Sequence, residues 1–390
     1  MEIPTLDLIP FRGREPLDHL LQLRLRFDYT NLDRLSSVAK EIEVVQNNCS
    51  IKRRGHYYHT NGSGLGSEIH IYSIVLCTAL EMSNVRFRTV GSWIYNDIQK
   101  CQASERNAPM SCYFPQAEPN CPVDTATAME TFDMSYTDRY SCPRITDIAG
   151  GHSNLRAATT EYLFTRVSDI VQKEGERQLN IIFGGDANGR RSDRKQKVPK
   201  NLITVHIRWG DKDGEMKLVP IQNYTNAVQQ ILEKRKMNRY TRRNNDNVND
   251  PVLRKDTMSE NIVENDSDDD DGTVHVLLAT EDPEAVQQFL SAKPKDWNVY
   301  LDQYYTEMLP YRMEMGNVFN VNSLYASYKN ISGRNGLIAL GSLLIALEAN
   351  DFVLTTASNW SRLINELRKN IIDPRCNNCT TMIDLLYDEL

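Results

Sequence analysis

The chain has 390 residues, 40% of them hydrophobic and 25% charged, with a formal net charge of −7. That length holds two domains of ordinary size, each able to bury a core, and the acidic balance excludes the broad positive field of a nucleic-acid-binding protein. The longest apolar stretch, from Gly336 to Thr356, is broken by Glu348, Asn350 and Asp351, so no membrane span is predicted.

In chain order, residues 1–55 read as a polar helical lead-in, with leucines at helical spacing in LDHLLQLRLRF. Its N-terminus has neither a basic nor an apolar region of the kind a signal peptide carries. Residues 56–195 read as an N-terminal α/β unit. A helix is expected over Leu65–Leu80, and strands over Val85–Val90 and Leu179–Gly185. Between these strands lies a loop-rich stretch containing Trp93, Tyr95, Tyr113 and Phe114, aromatic residues suited either to a carbohydrate surface or to a core.

Residues 196–390 read as a second, Rossmann-like unit. LITVHIRW and VHVLLAT are expected strands, with a helix opened by Pro220 between them. Asp282-Pro283 reads as the cap and first residue of another helix. NVYL, NGLIALGSLLIALEAN, DFVLTT and SNWSRLINELRKN then alternate strand, helix, strand, helix, with Ser358 as N-cap of the last. This alternation predicts a mostly parallel, doubly wound sheet. Residues 235–272 carry a basic and then an acidic run with few apolar side chains, which predicts a disordered insertion. The DSDDDD within it is no preformed metal site, and no metal ligand set is predicted elsewhere.

Three segments have residue types suited to an anion. The first is NGSGLGSEIH, where Gly62, Ser63 and Gly64 precede a helix, so main-chain N–H groups can approach a phosphate. A tight turn into a packed helix is its simpler explanation. A nicotinamide fingerprint needs a third glycine at position 67, which is serine. The second is HIRWGDK at the C-terminal end of a strand, where ligands of open α/β sheets bind. There Arg208 can clamp a diphosphate, with Asp211, Lys212 and Glu215 following in the loop. The third is the strand–turn–helix of TASNWSR, where Ser358 and Asn359 open a helix at the same sheet edge.

Of the eight cysteines, Cys101, Cys112, Cys121 and Cys142 cluster, and Cys376 and Cys379 form CNNC. Disulfides in an oxidising compartment are the preferred reading, with free buried thiols and a metal site as alternatives. Seven Asn-X-Ser/Thr triplets, at Asn48, Asn61, Asn223, Asn265, Asn330, Asn359 and Asn378, suit a secretory protein.

HIRWGDK followed by PIQNY, with LATEDP and TASNWSR in the same order, resembles the α1,6-fucosyltransferases of N-glycan cores and the related Nod-factor enzymes. The resemblance implies a two-domain, GT-B-like α/β architecture and an inverting, metal-independent transfer of fucose from GDP-fucose to a glycan hydroxyl. It implies that His206 helps recognise the guanine and Arg208 grips the β-phosphate. Gly62, Ser63 and Gly64, with Ser358 and Asn359, would reach the diphosphate, and Tyr224 falls among the donor-binding positions. Glu215, then Asp211, is the expected base, and Lys212 a charged partner. No cofactor beyond the donor is implied, and the expected location is the secretory pathway, the Golgi lumen first, with the cytoplasm as the alternative. At Ser342 and Leu343, where an acidic guanine contact is expected, none stands. A binding module on the same fold that transfers nothing, and a nicotinamide-dependent oxidoreductase, are the rival readings.

Overall fold

The computed structural model describes residues 23–59, 63–82, 85–101, 108–117, 130–134, 142–184, 198–209, 217–246, 273–308 and 333–385. Two parallel sheets, one of three strands and one of five, give the two α/β units expected of a GT-B-like chain.

The first sheet has β1 (Arg53–Tyr58) at its centre, flanked by β2 (Val85–Val90) and β3 (Glu130–Met134). Both pairings are parallel. β1 thus begins within the stretch expected to be a helical lead-in. In the described part of that stretch only α1 (Ser37–Asn47) is helical, capped by Ser36, whose Oγ accepts the Ala39 N–H at 3.1 Å. The helix α2 (Leu65–Glu81) links β1 to β2, as its apolar spacing predicts. After β3 come α3 (Pro143–Ala149), α4 (His152–Phe164) and α5 (Asp169–Phe183).

Of the strand expected over Leu179–Gly185, Gly185 lies outside the described residues and Leu179–Phe183 is instead the last turn of α5. Its apolar run looked extended in isolation, but Val171, Gly175, Gln178, Leu179 and Phe183 are the buried positions, spaced three and four apart on one helical face. Gly175 brings that face close to the second unit. A Cβ there would sit 2.9 Å from Leu25 and 3.3 Å from Leu344.

The second sheet runs β6–β5–β4–β7–β8, with every neighbouring pair parallel. Its strands are β4 (Leu202–Ile207), β5 (Val274–Thr280), β6 (Trp297–Leu301), β7 (Asp351–Leu354) and β8 (Thr381–Asp384). The helices are α6 (Ile221–Asp246), α7 (Pro283–Ala292), α8 (Arg334–Ala346) and α9 (Asn359–Leu367). The cap read at Asp282 is present: its Oδ1 accepts the Ala285 N–H at 2.9 Å. α6 continues to Asp246, so the first residues of the expected disordered insertion are helical, while 247–272 lie outside the described residues.

Alternation along the strands divides the packing. Ile203, Val205 and Ile207 of β4, with Val276, Leu278 and Val353, form one core beneath α6 and α7. Leu202, Leu277, Phe352 and Leu354 face the other way, into a core that continues without a break through α8, α5, α4 and α2. Burying each Leu or Phe in it stabilises the fold by roughly 1.5–3 kcal/mol. The two units therefore share one apolar core. Trp93, Tyr95, Tyr113 and Phe114 are buried in that core, which removes them as a carbohydrate surface.

Among the described residues, no helix is long and apolar enough to cross a membrane. Disulfides join Cys77 to Cys142, Cys101 to Cys112 and Cys376 to Cys379, Cys49 is also disulfide-bonded, and no described cysteine is free. The expected cluster is thus split, because Cys142 opens α3 beside α2 and reaches Cys77. Cys121 lies outside the described residues.

Candidate functional site

In the order β6–β5–β4–β7–β8, chain direction across the sheet reverses between β4 and β7. Open α/β sheets bind ligands in the crevice at the carboxyl ends of the strands flanking such a point. Arg208 and Trp209 leave β4 there, Thr355 leaves β7, and α9 begins four residues later.

Buried hydrogen bonds fix this rim. The Thr355 N–H donates to Ser361 Oγ at 3.1 Å, and Ser361 Oγ lies 2.7 Å from His206 Nδ1. By donating its O–H to an unprotonated His206 Nδ1 while accepting the Thr355 N–H, the serine hydroxyl serves both neighbours. The imidazole is then neutral, with its hydrogen on Nε2. Burial, and secondarily the Arg208 guanidinium, push the His206 pKa down to about 3. The Tyr224 hydroxyl lies 2.8 Å from Thr355 Oγ1, and burial pushes its pKa up to about 12. His206 and Tyr224 therefore brace the ends of β4 and β7 from within. Ser361 and Thr355, which make this possible, were not singled out in the sequence. Their spacing within TTASNWS was the available signal.

Arg208 reaches Glu281 at the end of β5, where its Nη1 donates to Glu281 Oε1; both side chains are partly exposed. The resemblance implies a phosphate clamp at this position; in the structure the guanidinium is paired with a carboxylate of its own sheet edge. Asp302, at the end of β6, is buried beside Glu281, and burial raises its pKa to about 7. Its Oδ1 accepts the Tyr305 N–H at 2.8 Å.

The turn before α9 is held by its own helix. Arg362 Nε donates to Thr356 O and Nη2 to Ala357 O, both at 2.9 Å. Thr356 is tied from the other side to Asp384 of β8 by its N–H at 3.1 Å. Ser358 is the N-cap residue, as read, but its side chain makes no capping hydrogen bond. The first-turn N–H groups of such a helix have no intrahelical acceptor.

The Gly-rich segment of the first unit meets this helix end. A Cβ on Gly66 would stand 3.3 Å from the main chain of Asn359 and Trp360, and Asn359 Nδ2 donates to Ser67 Oγ at 2.6 Å. The N-termini of α2 and α9 therefore abut. Ser63 is fixed by its carbonyl, which accepts the Tyr95 hydroxyl at 2.7 Å, while a Cβ on Gly64 would meet nothing within 4 Å. The structure thus brings together Ser63, Gly64, Ser358 and Asn359 beside the strand ends that carry Arg208. Gly62, Asp211, Lys212 and Glu215 lie outside the described residues. The sequon at Asn359 is spent on packing, since both ends of its amide are bonded to α2.

No family model and no curated protein matches the chain. Among solved structures, the apo form of POFUT1 aligns over 94% of this chain and 89% of its own, at 11% identity and a TM-score of 0.27. A likeness of that size carries no functional argument.

Proposed function

We propose that this protein is a nucleotide-sugar-dependent glycosyltransferase that moves fucose from GDP-fucose to a hydroxyl of a glycan or glycoconjugate, with inversion. One observation carries the reading: the N-termini of α2 and α9, from the two units, abut at the switch point of a doubly wound sheet, beside Arg208. Two helix N-termini and a guanidinium suit a diphosphate, and the carboxyl ends of the strands at a switch point are where open α/β sheets take nucleotides.

In this reading Glu215, or failing it Asp211, takes the proton from the acceptor hydroxyl. The acceptor oxygen attacks the anomeric carbon as the carbon–phosphate oxygen bond breaks, and GDP departs. Arg208, Lys212 and the two helix N-termini receive the charge that develops on the diphosphate. These groups supply the positive charge, so the reading needs no divalent ion. His206, neutral and buried, contributes by shape and by its hydrogen bond to Ser361 rather than by charge. The disulfides suit an oxidising lumen, and the Golgi is the compartment this function favours.

The test measures GDP release from GDP-fucose with a panel of glycan acceptors, before and after exhaustive chelation by EDTA. Release that depends on acceptor and survives chelation is expected. Activity lost on chelation and restored by magnesium or manganese overturns the mechanism.

A further inference from the structure

We infer that His70 is a positioning residue of the donor site, holding the first turn of α9 against the Gly-rich turn so that both helix N-termini reach one diphosphate. This rests on the donor-site reading above.

His70 lies on α2, one turn after Gly66, and is buried at the junction of the two units. Its Nδ1 is 3.0 Å from Asn359 Oδ1 and its Nε2 is 3.2 Å from Glu366 Oε2, so the ring bridges the two ends of α9. The Asn359 amide nitrogen goes to Ser67, which leaves its oxygen as the acceptor for His70. Both ring nitrogens then face acceptor oxygens. Glu366 is held in turn from α4: Arg156 Nε donates to its Oε1, and Thr160 Oγ1 donates to its Oε2 at 3.1 Å. Burial disfavours the Glu366 carboxylate, but the bonds and charges of His70 and Arg156 outweigh it and hold its pKa below the ordinary value.

The chain Arg156–Glu366–His70–Asn359–Ser67 thus ties α4, α2 and α9 together through side chains, above a core that already runs across both units. Both ends of the Asn359 amide are engaged within it. With the side chain turned toward α2, the group Asn359 offers a donor in this reading is its main-chain N–H, and His70 helps fix its place. Replacing His70 leaves Glu366 with one fewer partner and leaves the Asn359–Ser67 bond and the close Gly66 contact to hold the start of α9 against α2, so that end loosens. The expected loss falls on donor affinity, not on the chemical step.

The experiment compares wild type with His70→Leu, with His70→Asn, which keeps a donor near the Nδ1 position, and with Val75→Ala. Val75 is a fully buried residue of α2 outside this chain of contacts, and its truncation lowers stability through a cavity. Hydrogen exchange of residues 358–365 is measured without ligand, and GDP affinity by calorimetric titration. His70→Leu is expected to speed exchange over 358–365 and weaken GDP binding by roughly tenfold or more, as loss of a hydrogen bond to a charged group does. His70→Asn should recover part of both, and Val75→Ala should lower the melting temperature while leaving GDP affinity unchanged. Unchanged exchange over 358–365 in His70→Leu overturns the proposal whatever the ligand result. So does an affinity loss in Val75→Ala equal to that in His70→Leu, which reduces His70 to ordinary stability. If wild type binds no nucleoside diphosphate, the donor reading fails on its own, while the exchange contrast still decides whether His70 holds α9. Should His70→Leu fail to fold, His70→Asn and Ser67→Ala carry the same comparison.

Discussion

Replacing His206 by asparagine tests how tightly the rim of the second sheet is closed. The asparagine carbonyl stands where Nδ1 stood and keeps an acceptor for Ser361 Oγ, so the substitution removes the titrating ring while preserving its principal bond. In the folded protein burial depresses the His206 pKa from 6.5 to about 3. The stability tied to its neutral form is fully present above the unfolded value of 6.5 and is lost as pH falls from there toward 3. Integrating the linkage between about pH 7 and about pH 5 gives a wild-type loss of about 2 kcal/mol from this residue. Asp302 and Glu348, both raised by burial to about 7, act in the opposite direction: their contribution is lost as pH rises through that value. They are common to both proteins and cancel in the difference. Urea denaturation of wild type and His206→Asn at several pH values in that window should therefore show the deficit of the variant shrinking by about 2 kcal/mol on acidification. A deficit that stays constant across the window would mean that His206 titrates like an exposed imidazole, and the closed rim would be wrong.

Arg208→Ala should leave the melting temperature close to wild type, because the side chain is partly exposed. It should weaken GDP binding by roughly 10- to 100-fold, the loss of charged hydrogen bonds, measured by calorimetry. Gly336→Ala should destabilise by at least about 2 kcal/mol in urea, since its Cβ would be driven into the Tyr95 carbonyl. Replacing Cys77 and Cys142 together by serine opens a loop with a sequence separation of 65. The chain-entropy relation predicts a loss of about 4 kcal/mol, read from the denaturation midpoint.

The second unit was legible in the sequence because its signals are local and agree with one another. VHVLLAT is apolar from Val276 to Ala279 and buried at every position but His275, as a strand covered on both faces is, and Asp282-Pro283 fixes the next helix to the residue. The first unit was less legible. β1 is RRGHYY, which carries no apolar run and becomes a central strand only by pairing with β2 and β3. The IIF of α5 resembles a strand until the helical face defined by residues well upstream is seen. β8 is a short, half-exposed strand that pairs with β7 across a long sequence gap, so no local pattern announced it. At the site, the Gly-rich turn and the start of α9 could each be read as an anion-suited segment. Their contact could not, because it depends on residues almost three hundred positions apart, such as Ser67 and Asn359. The roles of His206 and Tyr224 as internal braces were hidden for the same reason, since Ser361 and Thr355 complete them only in the folded chain.

The central claim is that the crevice between β4 and β7, closed by the N-termini of α2 and α9, holds a nucleoside diphosphate. Thermal melts of the full chain with GDP, GDP-fucose, UDP and NAD, each in EDTA, test it most directly. A ligand at about 100 times its dissociation constant adds about 2.7 kcal/mol of stability. GDP and GDP-fucose should raise the melting temperature in wild type and far less in Arg208→Ala, with UDP and NAD weaker. No shift with any nucleoside diphosphate, or an equal shift in Arg208→Ala, would contradict the account.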